Sequence, residues 1–142
     1  RFGDLWTVPH NCPGYDKYHT GVDYRTLDVP RKIYAASRGF IKEIGVQTGA
    51  GEYITLRHEG QLTTTYLHTD HLSGLVVGDE VQRGQQIGTS AAISGRHLHF
   101  QLRAKDNDAN TQNGALPLNW SLGCSYPGFP AYFLDPESMN WE

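Results

Sequence analysis

The sequence predicts a mainly β domain made of short antiparallel strands. Apolar residues alternate at a period of two in several short runs, as in His97-Leu98-His99-Phe100-Gln101-Leu102-Arg103. Glycines, 16 of the 142 residues, punctuate those runs. Hardly any stretch keeps the apolar period of a helix.

The first informative segment is Tyr18-His19-Thr20-Gly21-Val22-Asp23-Tyr24, which sets an imidazole and a carboxylate four apart around a glycine. In a straight strand these two side chains would stand roughly 13 Å apart, so the segment must bend if they are to meet. Gly21 permits the bend, whereas Thr20, Gly21 and Val22 are poor helix formers. Residues Gly51 to His58 and Leu62 to His68 then read as a hairpin across Glu59-Gly60-Gln61. The second arm, Thr63-Thr64-Thr65-Tyr66-Leu67-His68, is β-branched and ends in an imidazole, with Asp70 and His71 just beyond. Val76 to Thr89 supplies further short strands, turning at Gly78-Asp79 and Arg83-Gly84.

The last strand, His97 to Arg103, places both imidazoles on one face, roughly 6.5 to 7 Å apart, and sends Leu98, Phe100 and Leu102 to a core. The imidazole face is expected to look into a cleft. One of the two can bind a metal, and its neighbour, one pleat away, is then placed to act on water or substrate.

Length and composition bound the function. A chain of 142 residues is close to the commonest domain size and is expected to form one domain over residues 1–142. Apolar content of 38% describes a soluble protein, and no apolar run is long enough to span a bilayer. No signal peptide is visible at Arg1, so a mature or excised domain is expected. A net charge of −3, with lysines and arginines scattered, gives no support for nucleic-acid binding. Cys12 and Cys124 form an even pair near opposite ends, which in an exported protein suggests one disulfide and otherwise reads as two separate buried thiols. Such a long loop would stabilise by roughly 4 to 5 kcal/mol if unstrained.

Taken alone, His-x-His is a weak pattern. Joined to His19 and Asp23, it completes two neutral imidazoles and one carboxylate, the ligand set of a catalytic zinc site that keeps its fourth position for water. Two distant cysteines cannot build a structural thiolate cluster. Zinc lowers the pKa of its water to about 7, so hydrolysis is the natural chemistry. No His-Glu-x-x-His helix occurs, so histidine must handle the proton, a role that an unperturbed pKa near 6.5 suits. His10 and His58 read as ordinary hydrogen-bonded histidines.

These residues resemble the lysostaphin-type zinc endopeptidases, which cut peptides in bacterial peptidoglycan. The likeness runs in unbroken order over residues 19–103. It comprises His19-x-Gly21-x-Asp23, Ile33-Tyr34-Ala35-Ala36 with Gly39-Phe40-Ile41, Tyr53-Ile54-Thr55-Leu56-Arg57-His58, Tyr66-x-His68, Gly78-Asp79 through Gly84-Gln85-Gln86-Ile87-Gly88, and His97-Leu98-His99-Phe100. The resemblance implies zinc held by His19, Asp23 and His99, with His68 and His97 flanking the water and the scissile carbonyl. His68 is preferred to His71 because Tyr66-x-His68 continues the strand, whereas His71 reads as a loop residue. It further implies a twisted antiparallel sheet packed on a smaller one, with long loops walling a groove. Arg96 stands where the family often has proline, and Gln101 where it often has glutamate.

The implied substrate is a peptidoglycan peptide, the implied setting is the cell exterior, the periplasm and cell wall, or a phage particle, and a monomer is expected. Beyond the core, residues 104–142 form a longer loop region whose aromatics, Trp120, Tyr126, Phe129, Tyr132 and Phe133, either wall the groove or pack the loop on the sheet. Three rival readings are an extracellular protease for glycine-rich proteins, a wall-binding regulator that hydrolyses nothing, and a purely structural zinc protein. The complete set of five site residues weighs against the regulator.

Overall fold

The computed structural model describes residues 5–7, 16–18, 21–48, 50–92, 96–104 and 133–138. In chain order its strands are β1 (Leu5–Thr7), β2 (Asp16–Tyr18), β3 (Val22–Arg25), β4 (Lys32–Tyr34), β5 (Gly39–Gln47), β6 (Gly51–Arg57), β7 (Thr63–Leu67), β8 (Thr69–His71), β9 (Glu80–Val81), β10 (Gln86–Ser90), β11 (His97–Arg103) and β12 (Phe133–Leu134). Among the described residues, 3₁₀ turns form at Glu59–Gln61 and Pro136–Ser138. The expected mainly β class is what forms.

The large sheet runs β12-β11-β7-β6-β5-β9, and β3 also pairs with β11. A smaller sheet, β4-β10-β8, packs on it, and β1 pairs with β2. All of these pairings are antiparallel. The expected hairpin is β6–β7, with Arg57 opposite Thr63, and Gly60 holds φ +70° in its turn. Gly78 and Gly84 likewise take positive φ at the two expected turns.

One face of the large sheet makes the core. Ile54, Tyr66 and Phe100 stand in one cross-strand row, joined by Leu56 and Ile41 and covered by Ile33, Ala35, Val81 and Ile87. Tyr66 is fully buried with its hydroxyl accepting the Ala36 N–H at 2.7 Å, and burial pushes its pKa up to about 12. The core-facing alternation read in β11 holds for Phe100 and Leu102, which are buried, and Leu98 is partly so.

The opposite face is less open than the sequence suggests. Its rows are Tyr53–Leu67–His99–Asp23, Thr55–Thr65–Gln101 and Arg57–Thr63–Arg103. Of these, Thr65, His99, Gln101 and Arg103 are buried despite their polarity. Buried polar groups are tolerated only when hydrogen-bonded, and Thr55 Oγ1 and Thr65 Oγ1 meet at 3.0 Å.

Between the two sheets the chain turns sharply at His68. The strand ends at Leu67, and His68 takes φ +60°, so it is not the strand continuation that Tyr66-x-His68 suggests. A bulky residue in the left-handed region costs on the order of 1–3 kcal/mol. Here the kink carries the chain from β7 into β8 of the smaller sheet, and the His68 carbonyl accepts the Ala91 N–H at 2.8 Å. His71 correspondingly ends strand β8 and is not a loop residue.

Candidate metal centre

The site begins with the register of β3 on β11. Asp23 lies directly opposite His99, and Arg25 opposite His97, so all four side chains share one face. His99 Nδ1 and Asp23 Oδ1 are 3.0 Å apart, and His97 Nε2 is 3.7 Å from the same oxygen. His99 is only 3% exposed, whereas the Asp23 side chain keeps 32% and that of His97 17%. The pair is therefore walled on the histidine side and open on the carboxylate side.

Gly21 makes this approach possible. A Cβ there would stand 2.9 Å from His99 Nε2 and would overlap the Phe100 carbonyl oxygen. The sequence assigns Gly21 a bend; the structure adds that backbone must pass here without any side chain.

His68 enters from the β7–β8 kink. Its ring meets that of His97 edge-on, with centroids 4.5 Å apart and planes at 63°. Its Nδ1–H donates to the Ala50 carbonyl at 2.6 Å, which fixes the tautomer and leaves Nε2 unprotonated. Burial is the main reason its pKa falls below the usual imidazole value, with the neighbouring His97 and His99 adding to the effect. His68 is thereby held neutral near pH 7.

The structure thus brings together Asp23, His68, His97 and His99. His19 lies outside the described residues, as do Cys12, Cys124, His10 and the aromatics Trp120, Tyr126, Phe129 and Tyr132. His71 points elsewhere: its Nδ1 and its backbone N–H both bond Glu52 Oε2, at 2.7 and 3.0 Å. Burial pushes the Glu52 carboxyl up, but these bonds and the His71 charge outweigh it and hold the carboxyl below its ordinary value. His58 is tied through both ring nitrogens, to the Arg38 carbonyl and to Thr64 Oγ1, each at 2.7 Å.

The donor set can be tested against a metal. Two ligand atoms on a tetrahedral zinc at 2.0–2.1 Å stand about 3.3 Å from each other. Asp23 Oδ1 and His99 Nδ1, at 3.0 Å, are near that spacing, and carboxylate with imidazole is zinc chemistry. Among the described residues no cluster of three candidate ligands is found, and His19, the third ligand the sequence suggests, lies outside them.

A separate hollow of about 460 Å³ lies between Arg38, Phe40, Arg57 and His58. It is four residues along the strands from the His99 row, about 13 Å away, and its His58 is fully committed. We assign it no part in the chemistry.

One contributor to the site, Ala50, and one residue that holds His71 away from it, Glu52, escaped the sequence. Ala50 acts through its carbonyl, for which side chains give no signal, and Glu52 reads as an ordinary strand-face charge until β8 lies beside it.

With the geometry in hand, comparison with known proteins is informative. The family model of peptidase family M23 matches residues 17–111. The peptidoglycan DD-endopeptidase ShyC of Vibrio cholerae is 31% identical over 116 residues, covering 80% of this chain and 26% of its own length. The chain spans about a quarter of the curated relatives ShyC and ShyB. Among solved structures, the catalytic domain of the antimicrobial peptidase lysostaphin from Staphylococcus simulans superposes with a TM-score of 0.58 at 29% identity, over 72% of this chain and 76% of that one. A zinc-containing peptidase from Vibrio cholerae superposes with a TM-score of 0.54 at 26% identity, over 72% of this chain and 32% of that one.

Proposed function

The chain belongs to peptidase family M23, and from that premise we propose that it is a zinc-dependent endopeptidase hydrolysing peptide bonds in the stem peptides or cross-bridges of bacterial peptidoglycan. The observation that carries this reading is the meeting of Asp23 and His99 at 3.0 Å beside the facing imidazoles of His97 and His68. Zinc would be held by His19, Asp23 and His99. Bound there, it supplies a Lewis acid that polarises the scissile carbonyl and lowers the pKa of water to about 7.

The remaining work falls to this chain's own residues. His68, kept neutral by burial and turned by Ala50, takes the proton of the attacking water at Nε2 and passes it to the leaving amine. His97, against the His68 ring, donates to the oxyanion that develops on the former carbonyl oxygen. Water attacks the carbonyl carbon, the C–N bond breaks, and a carboxylate and an amine leave. Burial of His99 excludes bulk water from one side, which strengthens each of these interactions. A wall substrate places the working protein outside the cytoplasm.

The test uses one preparation. Elemental analysis should give one zinc per chain, suspended cell walls should lose turbidity, and mass spectrometry of the products should identify a peptide bond. Zinc binding with no loss of turbidity and no new termini would favour a wall-binding regulator instead.

A further inference from the structure

We propose that Arg25 is a specificity-determining residue that binds a free carboxylate of the substrate next to the scissile bond. This inference rests on the peptidase reading above and narrows its substrate class.

The register supplies the placement. Arg25 is the cross-strand partner of His97, so its Cβ lies about 4.5–5.5 Å from that of His97 and on the same face. It is also two residues from Asp23 on the same strand, again on that face. Arg25 is exposed, and its side chain makes no hydrogen bond or ion pair among the described residues. Asp23, two residues away on that face, is engaged by His99 and approached by His97. Among the described residues, a positive charge thus stands uncommitted beside His97 and Asp23.

An exposed arginine on a strand is ordinarily just solvated, and two observations set this one apart. Its backbone is clamped on the far side, where Thr26 donates to the Arg96 carbonyl through both Oγ1, at 2.7 Å, and its own N–H, at 3.4 Å. Around that clamp Leu27, Asp28 and Arg96 hold φ of +53°, +58° and +39°, and such strain persists only where surrounding contacts over-determine it. Arg25 is consequently presented from a fixed platform and not from a loose loop.

The chemistry follows from the guanidinium. It matches a carboxylate with two parallel N–H···O bonds, which a glycine or amide cannot reciprocate. An extended peptide advances about 3.5 Å per residue, so a group beside His97 reaches one or two residues past the scissile carbonyl. A D-alanyl to diaminoacyl link carries a free carboxylate on the carbon attached to the scissile nitrogen. A glycyl bridge carries none along its interior. The structure therefore assigns the directly cross-linked peptide as the better substrate.

The experiment uses the zinc-loaded protein and two soluble cross-linked peptides that differ only in whether that group is a carboxylate or a carboxamide. The parent should prefer the carboxylate by about tenfold or more in kcat/KM, expressed mainly in KM. In Arg25→Gln the preference ratio should collapse towards one, while Arg25→Lys, a point charge without the fork, should keep part of it. Equal zinc content in all three proteins ties the change to substrate and not to the neighbouring Asp23. A preference ratio in Arg25→Gln equal to the parent's overturns the assignment, as does a parent that cuts both peptides equally. A parent that cuts neither, nor a glycyl peptide, refutes the peptidase reading itself.

Discussion

Replacing Gly21 with alanine tests the geometry of the site more sharply than removing any ligand. The added carbon would start 2.9 Å from His99 Nε2, and a relaxed contact needs about 3.5 Å, so about 0.6 Å of movement is required there and more at the Phe100 carbonyl. Val22 to Arg25 are paired residue by residue with His97 to Phe100, so β3 must move as a unit. Overpacking of this kind costs about 1–3 kcal/mol, which for a chain of this length lowers Tm by about 3–12 °C. The displacement also widens the Asp23–His99 gap, and misplacement approaching 1 Å costs up to about 100-fold in rate. Thermal melts of chelator-treated protein read the first effect. Zinc competition and kcat/KM on a soluble wall peptide read the second. If Gly21→Ala melted within about 1 °C of the parent and bound zinc equally well, the close passage of β3 over His99 would be wrong.

Further outcomes follow from the same contacts. His99→Ala should abolish both stoichiometric zinc and hydrolysis, whereas His97→Ala should abolish hydrolysis yet keep the metal; wall cutting at the normal rate by His97→Ala would refute its role. His68 has a folded pKa below its unfolded value, so the unfolded chain binds the extra proton, and chelator-treated protein should lose stability as pH falls below about 6.5 towards the folded pKa. His68→Gln should flatten that slope in denaturant midpoints across the window, and an unchanged slope would mean that the imidazole is not buried neutral. Tyr66→Phe removes the acceptor of the partly buried Ala36 N–H, and urea unfolding should register about 1 kcal/mol. An unchanged midpoint would show that this hydroxyl contributes nothing.

The sequence exposed the parts of the site that depend on periodicity. His97 and His99 share a face because strands alternate, and the bend at Gly21 is legible from residue type alone. Strand β5, by contrast, gave no clean pattern. Gly39-Phe40-Ile41-Lys42-Glu43-Ile44-Gly45 mixes charges and glycine, and a register shift between Ile41 and Glu43 breaks the alternation in mid-strand. The strand of Tyr66-x-His68 was visible but its end was not, because the kink at His68 is imposed by the passage into β8 and has no glycine to announce it. Gln101 and Arg103 look like solvent-facing residues on the imidazole face, yet both are buried, since burial depends on what lies over the sheet.

The arrangement of β3 explains how such distant residues come to act together. Asp23 is 76 positions from His99, and what joins them is a single cross-strand row that runs Tyr53, Leu67, His99, Asp23 through four strands. Slipping β3 by one residue would turn Asp23 and Arg25 to the opposite face and present Val22 and Tyr24 to the histidines. The register is pinned at both ends of the strand, by the absence of a side chain at Gly21 and by the Thr26–Arg96 clamp. The contacts at its two ends therefore hold the candidate site together as much as the Asp23–His99 contact does.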